Sequence, residues 1–303
     1  MMYQTQVNEY CWKRVFGVDF PQYDAVQVFK EMESVSDEEA RKVEKEFLAR
    51  VDEVHWEAGE DKMEKDAILS QAKMFLAFKR LQKLYDIDIF ANKCMPEMSA
   101  IPYGYGYCAC LATAMLNDAG VITACEADVP AGLSMYILHL LTGGAAFFAD
   151  IARLNKPENR VTFFNCGTAP ISLADRKQGV HIWPMPGNIA DEALPEQYFI
   201  GKMRGGTLRF DLENGREVTL LRIGGNDDTL RFHVIRATTC PREVEPEEII
   251  GNRWPGFGVK FEQPAEEVLR NTTGHHYSLV FGNWVEELRC LAEILGIGFV
   301  HNM

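Results

Sequence analysis

The stretch between residues 87 and 165 constrains the fold of this chain more than any other. Short apolar runs at 87–91, 121–125, 145–149 and 161–165 share it with apolar helical stretches at 107–119 and 131–141. Strands alternating with helices imply a parallel sheet covered on both faces. Ligands of such sheets bind just beyond the carboxyl ends of the strands. Two acids stand at such ends: Glu126 closes the run 121–126 and Asp150 closes the run 145–150.

Amphipathic helices are predicted upstream, over 36–58 and 62–85. The first opens on Ser36-Asp37 with acids in its first turn, and the second carries a broad apolar stripe from Ile68 to Leu84. Beyond Gly167, the residues Pro170, Pro184, Pro186, Gly187 and Pro195 mark a connecting region, which divides the chain into an α/β domain over 1–170 and a mainly β domain over 171–303. In the second part, runs at 207–212 and 217–223 flank Asn214-Gly215, a dipeptide suited to a type I′ turn, and predict a hairpin that 230–237 extends into a meander. A short helix at 264–270, a strand at 275–281 and an amphipathic helix at 284–295 follow. The expected fold class is therefore α/β: a parallel sheet with flanking helices, then an antiparallel, barrel-like C-terminal domain with a terminal helix.

Charge narrows the partners. The chain has 303 residues, with 44 acidic and 31 basic side chains, a net charge of −13. That balance repels phosphate backbones and anionic lipid, and no local basic patch offsets it, so neither nucleic acid nor a membrane surface is an expected partner. The longest apolar stretch, 131–148, is interrupted by Ser134, His139, Thr142 and Gly143-Gly144 and falls short of the roughly 20 residues of a membrane span. The first ten residues lack the apolar core of a signal peptide, so a cytoplasmic location is expected. The eight cysteines form no CxxC pair and sit mostly in apolar runs, as reduced core thiols do. Cys125, beside Glu126, reads as a small hydrophobe inside a strand.

Three constellations carry chemistry. Gly104 to Ala109 fits GxGxxA at a helix start, but a dozen residues with two prolines separate it from the preceding strand, where a dinucleotide site needs a tight turn. Glu126 and Asp150 lie 24 positions apart, which brings both carboxylates to one edge. Two readings stand for that pair. Either they share a proton or a divalent cation, or they are acids stabilised at helix N-termini. Asp128, followed by Pro130, reads as the helix cap. Gly274-His275-His276 enters an apolar strand, where a histidine is a ligand or a structural group; His55, His139, His181, His233 and His301 have no spacing that argues for a site.

The run from Ala124 through Glu126, Asp128 and Pro130 to Gly143, continuing through Phe147 to Asp150 and Ile151, resembles the metal-site segment of the L-fucose isomerase family, relatives of L-arabinose isomerase. In that family a Glu and an Asp at this spacing and a later His bind Mn²⁺. His276, opening a strand that ends in Phe281-Gly282, is similar to that histidine, and Arg253-Trp254-Pro255 resembles the family's Trp-Pro substrate loop. The likeness is strongest over 121–151 and 271–284 and weaker over most of 86–303. It implies Glu126, Asp150 and His276 as Mn²⁺ ligands, Glu126 and Asp150 as catalytic carboxylates and Trp254 as a wall for the sugar. It also implies an aldose–ketose isomerase of a fucose- or arabinose-like sugar working through a cis-enediol, assembled as a homo-oligomer, a trimer or hexamer. The chain departs from the family in three residues: His275 stands where an amide is usual, Asn283 where the fucose enzymes have a further His, and Asn165 where relatives often have His. The family's N-terminal α/β domain is expected to be absent. Two other readings stay open, a sugar- or metal-binding subunit of a split isomerase and an NAD(P) oxidoreductase built on the glycine loop.

Overall fold

The computed structural model describes residues 7–59, 61–94, 97–99, 106–186, 205–225, 229–244 and 252–303. Gly104 of the glycine loop, and Gly187 and Pro195 of the predicted connecting region, lie outside them. In chain order the elements are α1 (Glu9–Phe16), α2 (Val26–Ser34), α3 (Asp37–Leu48), β1 (Glu53–Val54), β2 (Glu57–Ala58), β3 (Asp61–Lys62), α4 (Ala67–Tyr85), β4 (Ile89–Ala91), α5 (Cys110–Asp118), β5 (Ile122–Ala124) and α6 (Val129–Thr142). Then come β6 (Phe147–Asn155), β7 (Arg160–Phe164), β8 (His181–Pro184), β9 (Gly206–Arg209), β10 (Glu217–Gly224), β11 (Arg231–Cys240), β12 (Gly256–Lys260), α7 (Ala265–Arg270), β13 (His276–Phe281), α8 (Val285–Leu295) and β14 (Gly298–Asn302). No helix among them is long and apolar enough to cross a membrane.

The centre of the molecule is a closed six-stranded antiparallel barrel in the order β10-β13-β6-β7-β12-β11, sealed by the β10–β11 pairing, with β14 added in parallel along β11. The expected parallel sheet is reduced to the pair β4–β5, and β1 separately pairs in parallel with β8. The runs at 145–149 and 161–165, expected in that sheet, are instead β6 and β7 of the barrel, which therefore draws strands from both sides of residue 170. The reason is burial on both faces. Phe147, Ala149, Phe163, Leu220, Tyr277 and Leu279 join the core cluster that all six strands share, while Phe148, Leu221 and Val280 belong to a second cluster with α6 and α8. A strand covered on both faces loses its polar alternation and reads like a strand of a parallel sheet.

Other differences from the sequence reading have equally local causes. The helix capped by Ser36, which forms a capping box with Glu39, ends at Leu48, because Asp52 and His55 donate backbone N–H groups to Val180 and Ile182 and recruit the following residues to β8. The Asn214-Gly215 turn does not close a hairpin. Gly215 N–H donates to Thr239 O, while β9 pairs with β8 and β10 pairs with β11, so the turn passes the chain from one sheet to another. The 217–223 and 230–237 runs do form the expected meander.

Helix α6 links the parallel pair to the barrel. It is apolar on almost every side and buried from Pro130 to Met135, the signature of a core helix. Side chains such as Leu133 and Leu138 each contribute about 1.5–3 kcal/mol by leaving water. Its register on the barrel is set by hydroxyls: Ser278 Oγ donates to Ala131 O, and Ser134 Oγ accepts the Ile223 N–H.

His233, fully buried on β11, sits between Tyr277 Oη at 2.6 Å and Asn302 Oδ1 at 2.9 Å. Asn302 uses its amide nitrogen on Gln263, so its oxygen accepts from His233 Nε2–H and Tyr277 donates to Nδ1. Burial, helped by Arg231 and His301 and opposed by the Asn302 hydrogen bond, holds this imidazole down to about 4. A depressed histidine costs no stability above its unfolded pKa of about 6.5. As pH falls from there to about 4, the unfolded chain takes up a proton that the folded chain refuses, and stability declines by about 3 kcal/mol. Urea unfolding between pH 7 and 4 is expected to show this decline, with a shallower pH slope in His233→Gln; equal slopes would contradict it.

Candidate metal centre

Strand β5 ends at Ala124, and the chain turns into α6 through Glu126 and Ala127, both at positive φ, +58° and +54°. Neither is glycine. Consecutive left-handed residues of this kind are strained and persist only where the surroundings over-determine them. The turn brings the Glu126 carboxylate beside His276, the first residue of β13.

Those two strands are antiparallel neighbours with Asp150 directly opposite His276. The pleat turns Phe147 and Tyr277 towards the core cluster of the barrel, so Asp150 and His276 share the other face, towards α6. His276 Nε2 lies 3.0 Å from Asp150 Oδ1 and 3.4 Å from Glu126 Oε2. Separations of 3.0–3.4 Å equal the edges of an octahedron with bonds of about 2.1–2.4 Å, the range of hard divalent cations. His275 closes the cluster, with Nε2 3.4 Å from Asp150 Oδ1, and Glu126, His275 and His276 each offer a ligand atom within 4.8 Å of the others.

Asp128 locks the imidazole. Its Oδ1 caps α6 by accepting the Ala131 N–H at 2.8 Å, as the sequence indicates. Its Oδ2 accepts from His276 Nδ1 at 2.6 Å and from Arg222 at 2.7 Å, and all three side chains are buried. A carboxylate on one imidazole nitrogen, leaving the other free to ligate, is the usual orienting pair behind a metal-bound histidine. Sequence spacing could not find it, because one oxygen accounts fully for Asp128 as a cap and Arg222 is 94 positions away. Asn165, buried at the end of β7, orients the second acid: its Nδ2 donates to Asp150 Oδ2 at 2.9 Å while its Oδ1 accepts from Thr168.

The electrostatics follow from this crowding. Burial disfavours the imidazolium, but the Asp128 hydrogen bond and the Asp150 and Glu126 carboxylates outweigh it and push His276 up to about 11. Burial likewise opposes ionisation of Asp150, yet the His275 and His276 imidazoles beside it and the hydrogen bond from Asn165 hold it well below the usual carboxylate range. The residues fit a divalent cation on one further count: His276 Nε2 is buried and has no hydrogen-bond partner, although it faces two carboxylates. Two acids with one imidazole form an oxygen-rich set suited to Mn²⁺ or Mg²⁺ more than to zinc.

Trp254 stands on the loop before β12, edge-on to Phe164 at 5.6 Å and packed against the cluster of Cys108, Cys110 and Met185. Phe164 pairs with Asp150, and Asn165 N–H donates to Pro255 O, so the Trp254 loop is tied to the acid side of the centre. Its indole Nε1 is buried without a hydrogen-bond partner. The Cys125 thiol lies 3.7 Å from that of Cys166, and all eight cysteines are free. The described strand β4 ends at Ala91 and α5 starts at Cys110, so residues 92–109 separate them.

Comparison with known proteins agrees with this architecture. Residues 163–302 match the family described as L-fucose isomerase, C-terminal domain. A sulfoquinovose isomerase of Clostridium sp. (strain MSTE9) is 30% identical over 236 residues, 72% of this chain and 46% of that protein. Sulfoquinovose isomerases of Priestia aryabhattai and Alkalicoccus urumqiensis are 23% identical over 300 residues (97% of this chain, 60% of theirs) and 27% identical over 219 residues (71% and 44%). The chain spans about half the length of the curated relatives it matches. With the barrel strands from β7 onwards and His276 inside the matched domain, the chain belongs to the L-fucose isomerase-like family.

Proposed function

We propose that this chain is the metal-binding part of an aldose–ketose isomerase that uses a divalent cation, Mn²⁺, held by Glu126, Asp150 and His276. One observation carries the reading: a buried, unpartnered imidazole nitrogen faces two carboxylates from two other elements, with its ring fixed from behind by Asp128. Interconverting an aldose and a ketose moves one proton between C1 and C2 and another between O1 and O2, through a cis-enediol. When bound, the cation supplies Lewis acidity at O1 and O2, worth several kcal/mol of stabilisation of developing charge.

The rest falls to the protein. One of Glu126 and Asp150 accepts the carbon proton, and the other serves the hydroxyls or the opposite face. Asn165 keeps Asp150 Oδ1 turned towards the centre, and Asp128 keeps His276 Nε2 aimed at it. Trp254 forms a wall against the sugar ring, its indole N–H available to a hydroxyl. The names of the relatives put sulfoquinovose ahead of the fucose- or arabinose-like sugar implied by the sequence resemblance. The same resemblance implies a homo-oligomer, trimeric or hexameric.

The test is conversion of sulfoquinovose, L-fucose and D-arabinose followed by NMR with MnCl₂ or with EDTA. Ketose formation from at least one of them with MnCl₂, and none with EDTA, is expected. Conversion unaffected by EDTA, or none in any sugar with MnCl₂, would contradict the proposal.

A further inference from the structure

We infer that Glu53, His55 and His181 form a second divalent-cation site, of zinc type, which shares no residue or strand with the first. Strands β1 and β8 are parallel, with Glu53 directly opposite His181. His55 lies two residues after Glu53, and Trp183 two residues after His181, so all four side chains stand on one face of the pair. Sequence spacing gave no reason to associate the two histidines, which are 126 positions apart.

The three ligand atoms form a nearly equilateral triangle. His55 Nε2 is 3.3 Å from His181 Nδ1 and 3.3 Å from Glu53 Oε2, and His181 Nδ1 is 3.4 Å from the same Glu53 oxygen. Edges of this length bound one face of a tetrahedron whose centre lies about 2.0–2.1 Å from each corner, the distance of zinc from imidazole nitrogen and carboxylate oxygen. Two imidazoles and one carboxylate make a nitrogen-rich set, which favours zinc, whereas the acids around His276 favour a harder ion. Glu53 is exposed and both histidines are partly buried, so water can supply a fourth ligand.

The cluster rests on a rigid support. The His55 ring stacks on Trp183 with centroids 3.7 Å apart and planes 12° from parallel, which fixes the direction of Nε2. Asp52 holds the two strands in register, its N–H donating to Val180 O and its carboxylate accepting the Val180 N–H. Gly179 leaves room for the His181 ring, since a Cβ there would lie 3.0 Å from His181 Nε2. A cation on this face joins residues 53–55 to residue 181 and so clips together two distant parts of the chain.

The experiment uses Zn²⁺ and Co²⁺ as probes on the full chain. Four-coordinate Co²⁺ shows intense visible absorption, which the ion lacks in a six-coordinate, oxygen-rich site. Wild type and Glu126→Gln are expected to develop this absorption, and His55→Asn and His181→Asn to lose it, together with about one equivalent of dialysis-resistant zinc per chain. Melting curves without metal establish that the variants are folded, and the two histidine variants, on different strands, guard against one misfolding. Absence of the absorption in wild type, or its retention in both folded histidine variants, would overturn the site.

Discussion

Asp128→Asn is expected to destabilise the protein by about 3–5 kcal/mol, although the change is isosteric and adds no bulk. Asp128 and Arg222 form a buried ion pair at 2.7 Å with side chains 0% and 1% exposed, so the mutation removes the Asp128 charge from beside a guanidinium in the core. Removing one partner of such a pair costs far more than the pair itself contributes. The melting midpoint should fall by about 5–8 °C. Divalent metal affinity should fall about 10- to 100-fold, because His276 Nδ1 loses the carboxylate that orients it. Replacing Arg222 by Met in the same chain should recover much of the stability and none of the affinity. A loss below about 1 kcal/mol in the single variant would show that Arg222 is compensated elsewhere.

The second large effect is chemical. Asp150→Asn and His276→Gln, assayed as sugar isomerases with saturating MnCl₂, should each lose about 10³-fold or more in turnover, the equivalent of several kcal/mol of transition-state stabilisation. Asp150 sits on a strand that both neighbours hold in register, and Asn165 fixes its outer oxygen, so its amide variant should fold normally. Turnover within a few fold of wild type in either variant would remove that residue from the centre.

Much of this arrangement is legible in the sequence, for identifiable reasons. Glu126 sits where apolar strand gives way to helix, and α6, α8 and the β10–β11 meander follow from periodicity. What escaped is of two kinds. Strands β6 and β7 read as parallel because both their faces are buried, which erases the alternation that marks an antiparallel strand. The remaining omissions are long-range. Asp128 meets Arg222 and His276, and His55 meets His181, across 94 to 148 positions of chain, and nothing local in those residues announces the partner. Asn165 was visible as a departure from the resembled family, but its role became clear only when β7 placed it beside Asp150.

Thermal unfolding of wild type and Glu126→Gln, each with EDTA and with excess MnCl₂, tests the central claim most directly. A ligand that binds only the folded state at a hundred times its dissociation constant stabilises by about 2.7 kcal/mol, enough to raise the midpoint of a chain this size by about 4 °C. The account predicts that rise in wild type and its loss in Glu126→Gln. An equal rise in both proteins, or none in wild type, would contradict a centre built from Glu126, Asp150 and His276.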